Sequence, residues 1–181
     1  MTILEDFGTL TAPDTVRLER LLPGPIDRVW SFITDSEKRR KWLAPGPMDL
    51  KVGGEVDLRF NHAELTGDKN TPAEFCKYDG SISQPGHIVA VEAPHLLTMT
   101  WGEGGSNPPS EVTFELSTKG DKVLMVITHK RIPNRGYMLS VSGGWHAHVG
   151  VLIDVLADRE PRPFWKTIEA LKVEYEQRIP A

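Results

Sequence analysis

Hydrophobic and polar residues recur at two different periods along this chain, and the switch between them divides it. From Thr15 to Leu22, Val16 and Leu18 oppose Arg17 and Glu19 with a two-residue repeat, the pattern of a half-buried strand. Pro23-Gly24-Pro25 ends it. Ile26, Val29, Trp30 and Ile33 then recur at i, i+3, i+4 and i+7. Pro25 suits a first helical position and Asp27 favours the positive end of a helix, so a short amphipathic helix follows. Thr34 and Glu37 have capping-box spacing and predict a second brief helix over Ser36 to Trp42, stopped by Pro45 and Pro47.

Beyond Gly53-Gly54 the period returns to two: Val56, Leu58 and Phe60 oppose Glu55, Asp57 and Arg59. The polar stretch His62 to Pro72 reads as a long exposed hairpin loop. Further strands are expected at Phe75 to Ser83, His87 to Glu92, Leu96 to Trp101, Glu111 to Ser117 and Lys122 to Arg131, with short Pro/Gly-rich connections that imply an antiparallel meander. With the first strand the total is seven. In the last third, Trp145, Val149, Leu152 and Leu156 share one helical stripe within Leu139 to Arg159, which Gly143 and Gly144 should delay until about Gly144. Pro161 and Pro163 break the chain, and Phe164, Ile168, Leu171 and Tyr175 form a second stripe reaching Ile179.

The bulk numbers place these elements in one α+β domain spanning 1–181, with a core over 14–158 and an appended helix over 161–179. A hydrophobic share of 39% and a charged share of 25% are ordinary for a globular protein, and a net charge of -4 offers no general attraction to nucleic acid. The lone Cys76 cannot form an internal disulfide and reads as a core thiol in a reducing, cytoplasmic setting. The N-terminus lacks a signal-peptide pattern, and Val149 to Ala157 is too short to span a bilayer.

The order strand, two short helices, six antiparallel strands and long helix resembles the helix-grip fold of the START/SRPBCC (birch-pollen-allergen-like) superfamily. There a curved sheet wraps around a long C-terminal helix. Local phrases carry the resemblance further: Ile26-Asp27-Arg28-Val29-Trp30, Trp42, Val52-Gly53-Gly54, Trp101 and Gly144-Trp145 are similar to the activator-of-heat-shock-protein-90-ATPase-like branch. The helix after Pro161 departs from that pattern. Its apolar face must cover the sheet, cover the grip helix or meet a second copy, which leaves a homodimer open.

The resemblance implies a pocket between sheet and helix for a small apolar ligand such as a lipid, sterol or polyketide-like molecule, with no cofactor. Alternation puts Phe60, Met99, Trp101, Met125, Ile127 and His129 at that pocket, with Trp145, Val149 and Leu152 from the helix and Trp42 at its mouth. His129 continues the apolar stripe of Val123, Met125 and Ile127, where it would orient a ligand carbonyl, act as an acid or base, or simply bond within the core.

His146 and His148, two apart on a helix, point in different directions and do not form a metal pair. No zinc-protease, paired-cysteine or Walker signature occurs, and Pro108 spoils a near nucleophile elbow around Ser106. The run Lys38-Arg39-Arg40-Lys41 reads as a solvated basic face. Three functions follow, in order: ligand binding, catalysis of the polyketide cyclase, dehydratase or hydrolase kind in the same pocket, and activation of the heat-shock protein 90 ATPase. A chaperone partner ranks last because full activators carry a further N-terminal domain, whereas strand one here begins close to the chain's start.

Overall fold

A computed structural model describes residues 6–69, 71–102 and 107–181. Seven strands form one antiparallel sheet in the order β1-β2-β7-β6-β5-β4-β3. They are β1 (Thr9–Ala12), β2 (Thr15–Pro23), β3 (Glu55–Phe60), β4 (Ile82–Glu92), β5 (Leu96–Trp101), β6 (Ser110–Lys119) and β7 (Lys122–Lys130). The helices are α1 (Ile26–Thr34) and α2 (Ser36–Arg39) between β2 and β3, then α3 (Arg135–Leu156) and α4 (Phe164–Arg178). This is the α+β helix-grip fold.

The count of seven holds, but its membership changes. Phe75 to Ser83 is not a strand: Ala73–Tyr78 is a 3-10 turn, and β4 begins only at Ile82. The Pro85-Gly86 punctuation falls inside β4 rather than between two strands. A side chain at Gly86 would sit 2.3 Å from the Thr100 carbonyl oxygen, so glycine permits the strands' close approach there. The seventh strand is instead β1, whose exposed residues pair with β2 at the sheet edge. Cys76 lies exposed on the 3-10 turn, not in the core. Ser106 lies outside the described residues.

Local caps also differ in place. α2 is capped by Asp35, whose carboxylate accepts from the Lys38 amide at 2.9 Å, one residue beyond the Thr34 expected from the sequence. Asn134 caps α3 by accepting from the Tyr137 amide at 2.9 Å, so that helix begins well before Gly144, and Met138 and Val141 pin its first turns in the core.

The basic run is not uniformly a solvated face, because Arg39 is buried. Its guanidinium donates to the carbonyls of Ile33 and Thr34, the last turn of α1, and to those of Ala44 and Gly46 in the segment leading to β3. One cation thus closes the negative end of α1 and fixes the following turn. Burial lowers its pKa to about 10, with Asp35 opposing, which leaves it charged at neutral pH.

α3 is the centre of the fold. Trp145, Val149, Leu152 and Leu156 face the sheet, while α4 packs antiparallel on its outer side, and both helices contribute to one core cluster. The stripe from Phe164 to Ile179 therefore covers the grip helix within the same chain. Buried Asp154 sets the corner between the helices by accepting from the Arg162 amide and guanidinium and from Arg159. Burial would raise the Asp154 pKa, but those donors outweigh it and hold it at about 2.

Replacement of Arg39 by Met should cost about 3 kcal/mol or more in urea unfolding, because four carbonyls lose their donor. Arg39→Lys should recover little, since an ammonium cannot reproduce the planar fork. Gly143→Ala should act the other way. A side chain there meets no atom within 4 Å, so helix propensity predicts a gain of roughly 1 kcal/mol, read as a rise in Tm.

Candidate functional site

The inward faces of the strands converge on one flank of α3. Met99 and Trp101 from β5, Met125, Ile127 and His129 from β7, Phe60 from β3 and Trp145, Val149 and Leu152 from α3 all belong to or pack against the core. Trp101 and Trp145 lie 5.1 Å apart between ring centres, Phe114 and Trp145 meet edge to face at 5.5 Å, and Phe60 reaches Trp101 at 6.0 Å. Trp42 differs from its expected place at an opening. It is fully buried, its indole nitrogen donates to the Phe32 carbonyl at 2.7 Å, and its carbonyl meets His148 Nδ1 at 2.7 Å.

A directed chain of hydrogen bonds runs through this cluster. An indole can only donate, so Trp145 Nε1 gives its proton to His129 Nδ1 at 3.1 Å. The neutral ring then carries its proton on Nε2 and donates to Ser110 Oγ at 3.0 Å, and Ser110 donates to the Trp101 carbonyl at 3.1 Å. His129 has both nitrogens engaged and no exposed surface. Ser110 and His129 are therefore not a nucleophile and base, because the nitrogen facing the hydroxyl is the one that bears hydrogen. Burial lowers the His129 pKa to about 4, which keeps the ring neutral.

The chain approaches the half-buried Tyr137 at the start of α3, whose hydroxyl lies within reach of the Trp101 indole and the Ser110 hydroxyl. Burial raises its pKa. Tyr137, Ser140, Gly144 and His148 share one flank of α3 by helical spacing. Opposite them stand Phe60 and Trp101, and the 3-10 turn brings the Tyr78 hydroxyl to 3.4 Å from Ser140 Oγ. A side chain built at half-buried Gly144 meets no atom within 4 Å. A Cβ at this position therefore has open space around it.

His146 and His148 serve opposite sides of α3. His146 Nδ1 and the Tyr175 hydroxyl share a hydrogen bond at 2.9 Å, and the same oxygen accepts from the Gly8 amide at 2.8 Å. His148 Nδ1 donates to the Trp42 carbonyl. Burial, helped by nearby Arg20, Arg162 and Arg178, lowers the His146 pKa to about 3. Burial and the neighbouring His62 lower that of His148 to about 3, against the opposing Trp42 carbonyl.

Sequence reasoning missed Ser110, Tyr137, His62 and Tyr78. Two of them were within its reach: His62 continues the alternation of Val56, Leu58 and Phe60, and Ser110 that of Val112, Phe114 and Leu116. Tyr78 was hidden by the strand expected over its segment.

A family model described as Activator of Hsp90 ATPase homolog 1-like protein matches residues 23–157. The chain belongs to this family. It also resembles solved structures along most of its length. The Bordetella parapertussis protein encoded by gene BPP1335 is 42% identical, with 100% of this chain and 94% of that one covered at a TM-score of 0.82. That relative covers α4, which lies beyond the residues of the family match. CalU16 from Micromonospora echinospora is 22% identical over 91% of this chain and 87% of that one, with a TM-score of 0.67. PFC0360w, an HSP90 activator from Plasmodium falciparum, is 20% identical over 80% and 96%, with a TM-score of 0.58. The last two show the shared START/SRPBCC-type fold alone. No curated protein matches the chain. Among the described residues no helix is long and apolar enough to cross a membrane.

The three buried histidines predict an acid limit. Their folded pKa values lie below the ordinary 6.5, so the unfolded chain binds the extra protons, and stability rises with pH from about 4 to 6.5. It is complete above 6.5 and is lost as pH falls towards the folded values. Three protons imply a slope of roughly 4 kcal/mol per pH unit at its steepest. Urea midpoints should therefore fall sharply from pH 6.5 to 5, and His129→Gln should flatten the profile while lowering stability at neutral pH.

Proposed function

We propose that the protein binds a small, uncharged, largely aromatic or apolar molecule in the space beside Gly144, between α3 and the aromatic rims of β3 and β5. The observation that carries this reading is half-buried Gly144, where a Cβ would meet no atom within 4 Å, on the flank of α3 that also carries Tyr137 and Ser140, the latter 3.4 Å from the Tyr78 hydroxyl. Aromatic walls offer large contact area with little entropy cost, and a few polar groups among them set orientation.

Tyr137 supplies one such group. The Trp101 indole is placed to donate to its oxygen, and since Ser110 spends its one hydrogen on the Trp101 carbonyl, the phenolic hydrogen is the group that would meet an acceptor on the ligand, such as a carbonyl. Phe60, Trp101, Met99, Met125, Ile127, Val149 and Leu152 give this site its apolar backing, and His129 and Trp145 hold the polar chain in one orientation. Trp42 supports the site from behind, through His148.

Catalysis through His129 has less support, since its bonds go to Trp145 and Ser110 and its lone pair is already used. The chaperone-activating reading has the family's name behind it but no group of residues in this site. Ligand binding is the reading that particular side chains favour.

The neutral fluorophore N-phenyl-1-naphthylamine should bind the wild-type protein with micromolar affinity and brightened emission. Gly144→Leu should fill the space and abolish binding without unfolding the helix, because leucine is a good helix former. Equal binding by a folded Gly144→Leu variant would move the ligand elsewhere.

A further inference from the structure

Among the described residues three buried side-chain polar atoms have no hydrogen-bond partner: His62 Nδ1, Ser142 Oγ and Trp165 Nε1. Leaving such an atom unpaired in the interior costs about 1–3 kcal/mol. Two of the three are neighbours, since the His62 and Trp165 rings lie 5.4 Å apart between centres. They sit beneath the start of α4, the helix that the family match does not include.

Their chemistry is complementary. Trp165 Nε1 is only a donor. His62 is held neutral by burial, which pushes its pKa down, while the Tyr78 backbone favours a proton on the ring. Because Nδ1 is the nitrogen without a partner, that proton belongs on Nε2, and Nδ1 is left as an acceptor. A hydroxyl, of water or of a ligand, satisfies both atoms at once, donating to His62 Nδ1 and accepting from Trp165 Nε1–H.

The surroundings are built and fixed. His62 is stacked between Phe60 at 5.5 Å and Phe164 at 5.2 Å, and Trp165 is stacked on Phe75 at 5.5 Å. The segment after His62 is tied to α4 because Thr66 Oγ1 accepts from the Phe164 amide and Asp68 from the Lys166 amide. The rings around the pair, Phe60, Phe75, Tyr78, His148 and Phe164, carry no charge. The nearest cations, Lys77 over the Tyr78 ring and Lys172 over the Phe75 ring, stand on the outside of those rings, with Lys172 paired to Glu74, so a neutral ligand group meets the two nitrogens at lower desolvation cost than an ion.

We infer that His62 and Trp165 form a hydroxyl-binding subsite, and that the ligand is a neutral aromatic alcohol or phenol reaching from the space beside Gly144 to the root of α4. Phe60 joins the two places, touching Trp101 on one side and His62 on the other. The inference rests on the proposed ligand site and adds the identity of the group recognised at its far end. It also gives α4 a role beyond covering α3, since Trp165 comes from that helix.

The test compares 2-naphthol, 2-methoxynaphthalene and naphthalene by calorimetric titration of the full chain at about pH 7.5. The methoxy compound accepts but cannot donate, and naphthalene does neither. 2-Naphthol should bind about tenfold tighter than 2-methoxynaphthalene, as expected when one further neutral hydrogen bond, the one to His62 Nδ1, replaces an unmade one. His62→Phe should bring the affinities of 2-naphthol and 2-methoxynaphthalene together, and Trp165→Phe should weaken both towards that of naphthalene, whose own binding is kept. Equal affinities in the wild-type protein overturn the subsite and leave the ligand site standing, whereas binding of none of the three overturns both. The wild-type comparison needs no variant to fold. A crystal structure with 2-naphthol should show its oxygen between the two nitrogens, and a water kept there beside bound naphthol would overturn the assignment.

Discussion

Burial of α3 on two opposite faces, one against the sheet and one against α4, is the constraint from which the rest of the molecule follows. A helix pressed against a sheet normally keeps one polar face in water, but this one carries Ala147, Gly150 and Val151 away from the sheet, all of them buried. That outer face needs a cover, and α4 supplies it. Three ionisable side chains enclosed by the arrangement have fixed partners: Tyr175 for His146, the Trp42 carbonyl for His148, and Arg162 for Asp154. The partners come from three different parts of the chain, so the same bonds that satisfy the helix also hold those parts in place.

Much of this architecture was legible before the structure. Period-two alternation located β2, β3, β5, β6 and β7, because each has one face on α3 and one face outward, which is the condition that writes alternation into a sequence. The segment from Phe75 to Ser83 misled because its apolar residues serve a turn packed against α4, where Phe75 stacks on Trp165. β1 left no signal. It is a short edge strand whose side chains are largely exposed, so nothing in its pattern had to alternate. Arg39 was misread for a related reason: a charge run looks solvated, and only the geometry of the α1 terminus turns one of four cations inward.

The candidate site was legible in its apolar part and not in its polar part. Phe60, Met99, Met125, Ile127 and Val149 follow from periodicity, which reports which residues turn inward. Which donor meets which acceptor depends on how strands align, and a one-residue change of register would break it. Ser110 bonds to His129 because β6 and β7 pair Val112 with His129 and bring the serine's hydroxyl alongside. The hydroxyl subsite was further from reach, since it joins the end of β3 to a helix that begins a hundred residues later. Family membership fixes the scaffold, and the character of the ligand is decided by these polar details.

The pairing of β2 with β7 has a kinetic consequence. Val16 lies beside His129 in that ladder, so the sheet joins the earliest part of the core to one of its last strands. Closing so long a loop is entropically costly, and β2, paired with β1 on its outer edge, gains β7 on its inner edge only after β3 to β6 have been made. During synthesis β2 must wait, with its apolar face uncovered, until most of the chain has left the ribosome. Helices α1 and α2, whose caps and Arg39 clamp are local, are suited to form during that interval and to shield part of the waiting surface.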